Sequence, residues 1–333
     1  MKQSLKYPLI IFALLIVATM LVFAVLHQKN PAKDYREVAQ RSYRIFIPEC
    51  PAKEDFAGEK MPLDLFYVKE SLDREIMINT FMHASTILMF KRANRWFPLI
   101  EPILKKNKVP DDFKFLALAE SNFYNVVSPS KAEGFWQFLK PTAIHYGLEV
   151  NEEVDERYNV VKATEAACRY FLDSFEKYGN WTLVAASFNR GQDGLTDALE
   201  NQKTRNFYEL YLNEETSRYI YRIVALKEIY NHPVKYGLYL RASDFYQVIP
   251  TYTIEIDTPI RDIPAFALKN KVSVRVFRDF NPWLRRYSLP NKQKKTYEIV
   301  LPKEGALNSE FLQKNLAPSE TYFHDTLQIN EIH

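Results

Sequence analysis

Phe113 to Ser121 reads FKFLALAES, nine residues that are apolar on nearly every side until Glu120. A helix that is hydrophobic all round belongs inside a fold rather than on its surface. A carboxyl at the end of such a helix sits where solvent is partly excluded. Desolvation disfavours the charged form and raises the pKa, and a carboxyl still protonated near neutral pH is what acid-catalysed glycoside cleavage requires. Taken alone, the commoner reading of such a Glu is a solvated helix end, because Glu is almost never fully buried unless paired.

Outward from this stretch, residues 63–240 show apolar positions at helical spacing and few strand patterns. One or two helices are expected from Asn79 to Lys105, and Pro110-Asp111-Asp112 is expected to open the next, with Pro at its first position and acids in its first turn. A short helix after Pro141 should stop at Gly147. Further helices fit Ala163–Tyr178, Trp181–Asn189 and Glu214–Tyr230, with Asn180 as the N-cap of the second. Past residue 240 the pattern changes. Val248–Ile256 and Thr296–Leu301 read as strands bracketing helical patterns at Ile263–Lys269 and Val274–Phe280, a small βααβ module over 241–303. Residues 304–333 show no sustained period and read as a tail. The expected class is therefore mainly α.

At the other end, residues 8–26 (PLIIFALLIVATMLVFAVL) follow a seven-residue tail and carry no charge. The run is long enough to span the ~30 Å hydrocarbon core of a bilayer. A cleaved signal peptide is the alternative, although its apolar stretch is usually only about 7–15 residues long and no small-x-small cleavage site follows here. A retained single transmembrane helix is the expectation. Lys2 and Lys6 before it and Lys29, Lys33 and Arg36 after it leave orientation open by charge. Residues 27–62, polar with four Pro, read as a linker.

Composition narrows the function classes. The 333 residues are 47% hydrophobic and 26% charged, which excludes wholesale disorder. A net charge of only +3 gives no basic field of the kind that draws nucleic acid, so no nucleic-acid partner is expected. None of the eight Gly builds a dinucleotide, P-loop or nucleophile-elbow signature. Cys50, Cys168 and the six scattered His have no metal-ligand spacing, so neither metal nor cofactor is expected. Cys50 and Cys168 are open to either pairing or free burial. The 21 Tyr, 23 Phe and 4 Trp suit a filled core and equally a groove that stacks on sugar rings.

Five ordered blocks then converge. Glu120-Ser121, Ser128-Pro129, Gly134-Phe135-Trp136-Gln137-Phe138, Phe188-Asn189 with Gly191, and Glu215-Thr216 with Tyr219 fall in the order of one family's motifs. The chain resembles the soluble-lytic-transglycosylase catalytic domain, a lysozyme-like fold, and within it the membrane-bound murein transglycosylase D group. The resemblance implies that Glu120 protonates the glycosidic oxygen between N-acetylmuramic acid and N-acetylglucosamine in peptidoglycan. Glu120 would then act as base on the muramoyl 6-hydroxyl, closing a 1,6-anhydro ring. The attacking group belongs to the substrate, so the usual second carboxylate is not required. It also implies that Ser121, Ser128, Gln137, Phe188 and Asn189 line the substrate site and that Tyr219 hydrogen-bonds near the acid. Three positions depart from the family: Phe188 replaces its Tyr, Lys131 its Gly, and Arg190 a small residue. Positive charges pointing inward would lower the pKa of Glu120.

The C-terminal module resembles a degenerate LysM domain, carried by Tyr252-Thr253-Ile254, Ile263–Phe266, Asn281-Pro282-Trp283-Leu284 and Tyr297–Pro302, with Asp257-Thr258-Pro259 in place of the usual Gly-Asp turn. LysM modules bind N-acetylglucosamine-containing glycans, and a purely packing role is the alternative. The expectation is a membrane-anchored enzyme acting on peptidoglycan strands outside the cytoplasmic membrane. A goose-type-lysozyme-like hydrolase and a non-catalytic wall-binding protein are the rival readings.

Overall fold

The fold is built around the apolar stretch that contains Glu120. In a computed structural model, which describes residues 12, 14–20 and 45–314, that stretch is helix α3 (Phe113–Ser121). It is preceded by a short hairpin, β1 (Asp55–Phe56) and β2 (Glu59–Lys60), and by α1 (Phe66–Phe81) and α2 (His83–Lys106). It is followed by α4 (Lys140–His145), α5 (Val160–Tyr178), α6 (Trp181–Arg190), α7 (Gln192–Gln202) and α8 (Glu214–Asn231). The chain then forms β3 (Thr251–Ile256), α9 (Ile263–Lys269), α10 (Val274–Phe280), β4 (Tyr297–Pro302) and α11 (Ser309–Lys314). The protein is mainly helical, with a small C-terminal sheet.

Five apolar α3 residues, Phe113, Phe115, Leu116, Ala117 and Leu118, are buried. The Phe113 ring lies 4.4 Å from Phe171 on α5 and 5.2 Å from Phe56 of the hairpin. Burying one side chain of this size is worth roughly 1.5–3 kcal/mol, so α3 is held by its neighbours rather than by helix propensity. Asn122 ends it in the left-handed region, its amide donating to Leu118 O at 2.8 Å.

Pro110 does not occupy the first helical position. Pro110–Asp112 form a turn ahead of Phe113, and Asp112 is drawn into tertiary bonding: its carboxylate accepts from Ala57 N and from Lys227 Nζ, both at 2.7 Å. The Asn79–Lys105 region is two helices, broken at Met82. Pro98 and Pro102 lie inside α2, each removing a backbone donor. The helix continues because Phe90, Phe97, Ile100 and Leu104 are buried. Asn159 and Asn180 cap α5 and α6 with their side chains, and Gly147 follows α4 at φ +85°.

Part of the expected linker is structural. Phe56 is fully buried, and the Glu59 carboxylate accepts from Trp181 N and Thr182 N at 2.6 and 2.9 Å, satisfying the first amides of α6. In the expected tail, Ala306 is buried and α11 forms. From Pro48 onward the described chain makes one compact unit.

The C-terminal module pairs β3 and β4 antiparallel, from Thr251↔Pro302 to Ile256↔Tyr297, with α9 and α10 between them in sequence. Its core is a second hydrophobic cluster, and that cluster takes in Val154 and Tyr158 from the segment before α5. The connection from α8 runs along α2, where Arg95 donates to Gln247 O at 3.0 Å.

Residues 12 and 14–20 of the expected membrane span are helical and exposed. Among the described residues no helix is long and apolar enough to cross a membrane. Residues 1–7, the remainder of 8–26, residues 27–44 of the linker and residues 315–333 of the tail lie outside the described residues.

Candidate active site

Helix α8 crosses α3 and delivers the groups that act on Glu120. The Tyr219 hydroxyl donates to Glu120 Oε1, and Tyr219 itself is 2% exposed. Burial of the Glu120 carboxyl pushes its pKa up to about 7. The Tyr219 hydrogen bond and the Arg222 charge pull it down, while the Glu215 charge adds to the rise. Glu215, Tyr219 and Arg222 recur every three to four residues, which sets them along one face of α8. Arg222 is steered by Glu75 of α1, 3.9 Å away, a 1% exposed carboxylate that also accepts from Arg218 Nε at 2.6 Å.

The other expected site residues have distinct local partners. Ser121 is buried: its hydroxyl donates to Phe135 O at 2.9 Å and accepts from Phe123 N at 3.1 Å, tying α3 to the loop that follows. Ser128 Oγ accepts from Ala132 N at 2.9 Å and closes a turn. Gln137 stands at φ +49°, and its amide donates to Gly134 O at 2.8 Å and Val126 O at 3.1 Å. Asn189, near the end of α6, accepts from Thr216 Oγ1 at 2.9 Å and so joins α6 to the first turn of α8. Phe188 sits in a box of rings, with Tyr170 at 5.0 Å, Phe171 at 5.2 Å and Phe138 at 5.4 Å.

The two substituted cations do not act on the acid. Lys131 is exposed at φ +63°, and exposed Arg190 donates to Gly194 O at 2.8 Å. Neither is among the charges that shift Glu120. Glu133 is paired with Arg157 at 2.9 Å. Cys50 and Cys168 are both free thiols, and burial raises that of Cys168 to about 12.

Residues 98–211 match the family model of the transglycosylase SLT domain. The chain carries an SLT transglycosylase domain. Residues 252–305 match the soluble lytic transglycosylase C-terminal LysM-like domain. The chain is similar to the membrane-bound lytic murein transglycosylase D of Escherichia coli strain K12 and to that of Escherichia coli O6:H1, at 25% identity over 259 residues in each case. That alignment covers 76% of this chain and 55% of each relative, so the chain spans about half the length of the curated relatives it matches.

The SLT match takes in Glu120, Ser121, Ser128, Gln137, Phe188 and Asn189, whereas Tyr219 and Arg222 lie beyond it on α8. Sequence reading found Tyr219 and missed Arg222, although Arg222 stands three residues further along the same helix face, a spacing visible in the sequence. It also missed Glu75, whose partners lie on another helix, and Arg157, which pairs locally with Asp155 but whose contacts with Glu133, Lys131 and Phe138 come from a distant loop that no local pattern marks. The SLT domain thus presents one carboxyl of raised pKa, hydrogen-bonded from behind, beside a loop held by its own backbone and amide bonds. Such a carboxyl can hold a proton near neutral pH, release it to a leaving oxygen, and recover one from a nucleophile.

Proposed function

We propose that the chain is a lytic transglycosylase that cleaves the β-1,4 bond between N-acetylmuramic acid and N-acetylglucosamine in peptidoglycan and leaves 1,6-anhydro ends. The observation that carries this reading is the carboxyl of Glu120, raised to about 7 by burial and hydrogen-bonded by Tyr219. Protonated, it donates to the glycosidic oxygen as the C1–O bond breaks. The resulting carboxylate takes the proton of the muramoyl 6-hydroxyl as O6 bonds to C1, which returns Glu120 to its acid form. Both similar Escherichia coli proteins are named as lytic murein transglycosylases, which supports the same substrate here. Ser128, Gln137 and Asn189 hold the sugar, Phe188 walls the site, and Ser121 fixes the loop.

A hydrolytic outcome is the second reading, and Glu215 favours it: this exposed carboxylate is close enough to raise the pKa of Glu120 and could orient a water. Mass spectrometry of products from purified peptidoglycan tests both. Anhydro ends support the transglycosylase, reducing ends the hydrolase, and an intact polymer that still pellets with the protein overturns both in favour of a binder. The apolar run 8–26 supports a single-pass anchor, and a peptidoglycan substrate implies a catalytic unit outside the cytoplasmic membrane.

A further inference from the structure

The segment between α4 and α5 has two occupied sides. On one it belongs to the C-terminal module. Asp155 N donates to Trp283 O at 2.8 Å, Arg285 N donates to Glu153 O at 2.7 Å, and Val154 bridges Leu284. The Arg285 guanidinium lies 4.3 Å from the centre of the Tyr158 ring. Glu149 accepts from Lys295 Nζ and from the Tyr297 hydroxyl, each at 3.0 Å.

On the other side the same segment carries the loop that holds Ser128 and Gln137. Arg157, 5% exposed, donates from Nε and Nη2 to the two oxygens of Asp155 at 2.9 and 2.7 Å. It pairs with Glu133 at 2.9 Å and donates from Nη1 to Phe138 O at 3.2 Å and Lys131 O at 3.3 Å. Gly134 lies so close that a Cβ there would come within 2.0 Å of Arg157 O. A planar, five-donor guanidinium on this many fixed acceptors has little freedom to shift. Asp155 therefore has its backbone amide bound to the module and its carboxylate bound to the residue that grips the loop.

We propose that the C-terminal module is a positioning element of the active site, acting through Asp155 and Arg157 on loop 128–138, rather than a separately tethered binding unit. Arg157 is a positioning residue in this scheme. The proposal rests on the reading that Ser128 and Gln137 meet the glycan, because the value of a fixed loop lies in holding the reacting bond in line with Glu120.

Amide hydrogen exchange in the full chain tests it without reference to activity. The amides of Ser128, Ala132, Glu133 and Gln137 are bonded within the loop and serve as probes. Arg157→Met should speed their exchange about tenfold or more while α5 and α8 stay protected. Arg157→Lys should restore part of the protection. On the module side, Leu284→Ala and the milder Arg285→Ala should loosen the same loop amides from across the junction. Steady-state rates on peptidoglycan should fall about tenfold or more in kcat/KM for Arg157→Met and Leu284→Ala, with the pH profile unmoved. The double variant should be no worse than the worse single one.

Unchanged loop exchange in Arg157→Met overturns the proposal. So does a loop that stays protected in both module-side variants, including the case where Leu284→Ala melts residues 263–299. If the wild-type chain cleaves nothing, the proposed function fails, and the exchange result still decides whether the module positions the loop.

Discussion

The phenol of Tyr219 donates to Oε1 of Glu120, joining α8 to α3 across 99 residues of sequence. The bond favours the carboxylate, while burial of the same group favours the acid, and burial is the larger effect. The balance leaves a carboxyl that titrates near neutrality, where one group can serve as acid and then as base.

The pH profile follows from that balance. Glu120 must be protonated to act, so kcat/KM should be level below a limb at about 7 and fall about tenfold per pH unit above it. Glu120→Gln should lose ~10²–10⁴ in rate. Stability adds a second readout. A carboxyl whose native pKa exceeds its unfolded value of 4.5 favours the native state fully below 4.5, and that contribution is lost as pH rises through about 7. Denaturant melts should therefore show Glu120→Gln gaining up to about 3 kcal/mol on the wild type between about pH 4 and about pH 8. A pH-independent difference would place the titrating group elsewhere.

Tyr219→Phe removes the bond that steadies the carboxylate. The limb should move to higher pH, because that bond lowers the pKa. The rate should fall about 10–100-fold, the worth of one hydrogen bond to a charged group. A limb that moves down instead contradicts the geometry.

Phe188→Tyr should not raise activity. Tyr219 already donates to the acid, and the Phe188 ring is enclosed by Tyr170, Phe171 and Phe138. An added hydroxyl in this box is expected to be silent or to cost about 1–3 kcal/mol through crowding. Initial rates and thermal midpoints together would expose a gain, and a gain above tenfold would mean that the ring faces the carboxylate.

Gly134→Ala should be among the most damaging single changes in the loop. The new Cβ meets Arg157 O at 2.0 Å, and the position has φ +81°. A loss of about 2–4 kcal/mol is expected, since backbone must move on both sides. A midpoint within a degree of wild type would show that the loop is not packed on residues 155–158.

The anchor is tested by fractionation. Full-length chain should stay with membranes through high-salt and alkaline washing, because a spanning helix holds far more firmly than surface charge. A soluble mature protein beginning near residue 27 would identify the apolar run as a cleaved signal peptide.

Much of the helical framework was legible because it depends on local pattern. Asn180 before Trp181, Gly147 after α4 and the apolar spacing of α5 and α8 each specify a helix boundary or face within a few residues. In the module, Ile263–Lys269 and Val274–Phe280 begin after Asp262 and Ser273, whose side chains cap them. Glu120 stood out for the same kind of reason: a carboxylate ending an apolar helix is a local contrast. The turn at Pro110–Asp112 was misread because Asp112 bonds Ala57 and Lys227, far away in sequence, instead of capping its own helix.

Sequence by itself determined which side chain could be the acid, that the framework around it would be helical, and that two helical patterns lie between two strand patterns near the C-terminal end. Only the tertiary structure decided how strongly that acid holds its proton, because the value depends on burial by α3's neighbours and on Tyr219, Arg222 and Glu215 arriving from α8. It alone also decided that Val154 and Tyr158 belong to the module's core and that Arg157 grips loop 128–138. Periodicity reports what a residue's own turn or strand needs. Desolvation and buried ion pairing report on atoms brought together from distant segments, and those have no local period to read.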